Sequence, residues 1–69
     1  MNITEQIHDI ERRAKAAGVS MASLLAKAGL NESTWWRWKQ GKSSPLLSSL
    51  DKVSKAIYVV EAERKFGIA

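Results

Sequence analysis

The 69-residue chain contains no cysteine, a single proline, a single histidine and four glycines, and each shortage removes a class of protein. Without cysteine there is no disulfide framework and no thiolate metal site, and the solitary His8 cannot build an imidazole cluster, so no metal or other cofactor is expected. A cysteine-free chain fits a reducing, cytoplasmic setting. Long apolar runs are missing too: nothing approaches the roughly 20 residues of a spanning helix. Residues 1–10 carry Glu5 and Asp9 where an export signal needs a basic start and an apolar stretch, so neither a leader nor a membrane segment is expected. Catalysis is short of parts as well. The seven carboxylates are dispersed over helical faces, and acid-base chemistry needs titratable groups that converge in a pocket. No enzyme and no small-molecule ligand is expected, and His8, four residues before Arg12, reads as solvated surface.

What is present is helical and basic. Eleven Lys and Arg against seven Asp and Glu leave a net charge of +4, which favours a polyanionic partner without proving one. The length suits one domain, residues 1–69, whose core is marginal without a staple, and oligomerisation is the staple that remains.

Gly18, Gly29, Gly41 and Pro45 punctuate the chain into segments of helical length. The first places Ile3, Ile7, Ile10, Ala14 and Ala17 on one stripe, with Asn2 and Glu5 spaced as a capping box. A second helix over residues 21–28, capped by Ser20, offers Met21, Leu24, Leu25 and Ala28 to a core and ends at Gly29. Asn31 caps a third over residues 32–40 that closes at Gly41, so only residues 29–31 separate the two helices. A short glycine-containing connection of this kind permits the sharp redirection of a helix-turn-helix. After a polar loop, Ser44 and Pro45 suit the cap and first position of a fourth helix with Leu46, Leu47, Leu50, Val53 and Ile57 on its apolar face. Residues 58–66 are compatible with a last helix, although Tyr58, Val59 and Val60 are weak helix formers. The expected fold is an all-α bundle of four or five helices.

Residues 19–57 resemble the phage repressor, Cro and Xre-type helix-turn-helix family, also called lambda repressor-like. The likeness rests on an ordered set: Leu24 in the first helix of the motif, Gly29 in the turn, Trp35, Trp38 three residues before Gly41, then Pro45, Leu47 and Leu50. It implies a compact bundle whose third helix lies in the major groove of double-stranded DNA while the second braces it. The residues support this division in part. Trp35 and Trp38 share a face that would anchor the third helix to Leu24, Leu47 and Leu50, leaving Glu32, Ser33, Trp36, Arg37 and Gln40 on other faces.

By that resemblance the base readers are Glu32, Ser33 and Arg37, with Thr34 next. Arg can pair with guanine O6 and N7, and Glu can accept from cytosine N4. Glu32 is equally what the first turn of any helix favours, and Ser33 and Thr34 are equally capping-turn residues. Phosphate contacts are expected from Lys39, Gln40, Lys42, Ser43 and Ser44 at one end and from Ser20, Met21 and Ser23 at the other. Met21 departs from the family, which often has Gln there, and Lys39 reads equally as a solvated lysine. Leu25 departs as well, standing where the family commonly has Ala. Trp36 should point outward, towards DNA, a neighbouring helix or another subunit.

Proteins of this family gain affinity by pairing two recognition helices about 34 Å apart. Residues 57–69, through Ile57, Val59, Val60, Phe66 and Ile68, are the expected dimerisation segment, unless that helix merely closes the domain's own core. The implied function is a sequence-specific regulator, a phage- or prophage-type repressor acting as a homodimer on a palindromic operator. The alternative is an antitoxin-like or partner-binding interaction module on the same scaffold.

Overall fold

The computed structural model describes residues 2–65 and 67, and among these there are four α-helices and no strand: α1 (Ile3–Ala16), α2 (Met21–Ala28), α3 (Glu32–Lys39) and α4 (Leu47–Lys65). The expected all-α bundle is therefore a four-helix one. Each of the first three helices starts on a side-chain cap. The carboxamide oxygen of Asn2 accepts from the Glu5 N–H at 2.8 Å, the Ser20 hydroxyl oxygen from the Ser23 N–H at 3.1 Å, and Asn31 from the Thr34 N–H at 3.0 Å. These acceptors satisfy donors that a helix start otherwise leaves unpaired.

The same three helices also end alike. Glycine takes a positive φ, and the N–H of the next residue bonds back to a carbonyl five positions earlier: Val19 to Ala14 at 3.0 Å, Leu30 to Leu25 at 2.9 Å and Lys42 to Arg37 at 3.0 Å. Residues 29–31 thus make a turn defined at both edges, by Gly29 closing α2 and Asn31 opening α3.

The core lies between α1, α2 and α4, with α3 laid against one side. Ile7, Ile10, Ala14 and Ala17 meet Leu24 and Leu25 of α2 and the stripe Leu50, Val53, Ile57 and Val60 of α4, and Trp35 and Trp38 complete it. Helix α4 packs most extensively on α2 and then on α1. Polar groups also cross this frame. Arg13 donates from Nε to Glu61 Oε2 at 2.9 Å and from Nη2 to the other carboxylate oxygen, tying α1 to the last turns of α4. Trp35 Nε1 donates to Glu11 Oε2 at 3.1 Å, tying α3 to α1.

Several expectations are corrected here. Ile3 is exposed, because the core begins one turn further along at Ile7. The fourth helix starts two residues later than Ser44 and Pro45 would place it, with the Leu46 carbonyl accepting its first bond from the Leu50 N–H at 3.0 Å. Leu46 and Leu47 are consequently 71% and 84% exposed and take no part in anchoring Trp35 and Trp38. No separate fifth helix breaks off at Tyr58. Residues 47–65 contain neither glycine nor proline, and burial of Ile57 and Val60 outweighs the low propensity of β-branched residues. Ile57 and Val60 are inside the protein's own core rather than surplus to it, so the expected dimerisation patch loses both; Val59 stays exposed, and Phe66 and Ile68 lie outside the described residues. Among the described residues no helix is long and apolar enough to cross a membrane.

Candidate nucleic-acid interface

Helix α3 has two faces of opposite chemistry. Trp35 and Trp38, 3% and 7% exposed, are tilted against each other with ring centroids 5.7 Å apart and fill the inner face. Around the rest of the helix, Glu32, Ser33, Trp36, Arg37 and Gln40 are all exposed. The division follows from spacing. Two large apolar side chains three residues apart occupy one stripe of an eight-residue helix and turn the remaining stripes to solvent.

The individual expectations land differently. Arg37 is exposed, and among the described residues no carboxylate pairs with it. Glu32 is exposed in the first turn, where the helix dipole favours an acid whatever lies opposite. Ser33 and Thr34 donate their hydroxyl protons to the Asn31 side-chain oxygen, at 2.8 and 3.1 Å, alongside the Thr34 N–H. Both hydroxyls serve the cap, and each keeps its oxygen as an acceptor.

At the positions expected to meet phosphates, Gln40, Lys42, Ser43 and Ser44 form an exposed edge between α3 and α4. Ser20 and Ser23 are exposed at the start of α2, where the Ser20 hydroxyl also donates to Ser23 Oγ at 3.1 Å. Met21 is half-buried and packs against the core. Lys39 is exposed, and its Nζ pairs with Glu11 Oε2 at 2.9 Å.

Glu11 is the residue that reading the sequence missed. One carboxylate oxygen receives both the Trp35 indole and the Lys39 ammonium, holding the middle and the last residue of α3 to α1. The partners lie 24 and 28 positions along the chain, and no local pattern marks a contact of that range. Beside it runs an open groove of about 480 Å³ between α1, α2 and α3, floored by Met21, Leu25 and Trp35 and rimmed by Glu32, Ser33 and Trp36. The described residues hold no cluster of three or more potential metal ligands.

Compared with known proteins, the chain matches no family model, no curated protein and no solved structure.

Proposed function

We propose that this chain is a sequence-specific double-stranded DNA-binding regulator that works as a helix-turn-helix protein, with α3 entering the major groove. The observation that carries the reading is the two-faced α3: it is fixed to the core by Trp35 and Trp38, is joined to α2 through a three-residue turn, and exposes Arg37, Glu32 and Ser33 beside the exposed polar edge of Gln40, Lys42, Ser43 and Ser44. A helix held this way meets the geometric need of groove readout, which is a rigid support behind and hydrogen-bonding side chains in front. The net charge of +4 adds attraction for a polyanion.

Arg37 reads guanine, Glu32 and Ser33 read neighbouring bases, and Lys42, Ser43 and Ser44 hold the flanking phosphates. Repression follows by occlusion, the protein covering an operator that overlaps a promoter. A homodimer supplies the second half-site, and Val59 with its exposed neighbour Tyr58 offers an apolar surface on α4 for it.

Selection of bound sites from a random duplex pool, followed by titration across salt concentration, tests the reading. A recovered consensus with log K falling by about 0.9 per phosphate neutralised is expected. Failure to enrich any duplex sinks it. One observation favours a second reading, a protein-interaction module: Leu46 and Leu47 stand in solvent at the start of α4. That reading requires no duplex binding, so the same selection separates the two.

A further inference from the structure

Hydrogen-bonded base readout and phosphate binding leave one large side chain on α3 without a task. Trp36 is 51% exposed on the helix that otherwise presents polar groups. Its surroundings are set by the way α3 ends. In α1 and α2 the residue after the terminal glycine is apolar, Val19 or Leu30, and folds back on the core. In α3 the same backbone turn delivers Lys42, which lies outward with its ammonium 5.0 Å from the Trp36 ring centroid. The device that latches two helices inward therefore places a cation over an exposed indole on the third.

We propose that Trp36 is a specificity-determining contact on duplex DNA: its indole packs against the 5-methyl group of one thymine at the edge of the major groove, while Lys42 passes from the ring to an adjacent phosphate. This rests on the DNA-binding reading above. The thymine methyl is the apolar group that base pairs present in the major groove, and Trp36 is the matching apolar surface on this helix. A phosphate carries a full negative charge where the ring offers only its quadrupole, so it outcompetes the indole for the ammonium. Arg37 next to Trp36 and Lys42 above it, neither paired with a carboxylate among the described residues, favour a polyanion over a protein partner at this spot.

The test uses a duplex carrying a selected site, with each thymine replaced in turn by deoxyuracil, titrated with the unaltered protein and with Trp36→Ala across salt concentration. One thymine per half-site should lose about four-fold in affinity with its methyl, the worth of one buried methyl group. Trp36→Ala should bind roughly ten-fold more weakly per half-site through the larger lost contact, ignore the methyl at that position and keep the salt slope. Lys42→Ala should lower that slope by about 0.9 per half-site. The deoxyuracil scan on the unaltered protein needs no variant and is independent of any folding defect. The proposal is overturned if no thymine is methyl-sensitive, if Trp36→Ala binds as the unaltered protein does, or if it retains the methyl sensitivity. In those cases DNA binding persists and only this contact fails. Absence of binding by the unaltered protein to any duplex would overturn the DNA reading and this contact together.

Discussion

Three indoles within four positions of α3 meet different surroundings, and the difference decides what each can do. Trp35 and Trp38 are enclosed by the core, so truncating Trp38 to Ala removes a large buried ring. A loss of about 3–5 kcal/mol is expected, which for a chain of this size leaves a large unfolded fraction in a thermal or urea melt. The Arg37 side chain, by contrast, is exposed and pairs with no carboxylate among the described residues. On the proposed reading, Arg37→Ala should melt as the unaltered protein does, yet lose on the order of 1–3 kcal/mol of binding per half-site and accept other bases at one operator position. Competition binding with a panel of single-base variants checks this, and a loss equal across all sequences would reassign Arg37 to the phosphates.

For the elements, the question is how an eight-residue helix such as α3 is held in place. A helix this short is not stable alone, so its orientation depends on its ends and its tethers. Glu11 is the polar tether. Glu11→Ala strands the Trp35 indole N–H, partly buried, and frees Lys39, for an expected cost of about 1–3 kcal/mol. Glu11→Gln keeps an acceptor for the indole and should recover most of that loss, which denaturant titration of the pair will show. At the other end, Gly41 holds φ at 73° with open space around it, so Gly41→Ala should cost about 1–2 kcal/mol from backbone conformation alone. Beyond stability, Gly41→Ala disturbs the position of Lys42, and the proposed phosphate contact should weaken with it.

On the scale of the whole molecule, α1 and α4 are joined across the bundle by Arg13 and Glu61, 48 positions apart. The hydrogen bond from Arg13 holds the Glu61 carboxyl below its ordinary value, and the same bond raises the guanidinium above its own. The Glu61 contribution is present above the ordinary carboxylate range and is lost as pH falls from about 4 through the lowered value. The Arg13 contribution would be lost only above the guanidinium range, beyond usable pH. Both side chains are about a third exposed, so the pair is worth about 0.2–1 kcal/mol. Urea melts at pH 7 and pH 3 should show Glu61→Gln less stable than the unaltered protein at the higher pH, with the deficit shrinking at the lower. A deficit of the same size at both would mean packing, not the ion pair, carries the effect.

Local information determined much of this protein. The caps at Asn2, Ser20 and Asn31, the glycine stops and the three-residue spacing of Trp35 and Trp38 are contacts between near neighbours, so α2 and the start of α3 were legible to the residue and the two-faced α3 with them. Tertiary packing alone decided the rest. Whether Ile57 and Val60 face inward or outward depends on how far α4 lies along α1 and α2, and whether Leu47 is covered depends on where that contact begins. Glu11 and Glu61 acquire partners only when distant helices meet, because a carboxylate on a helix surface carries no local mark of the donor that folding brings to it.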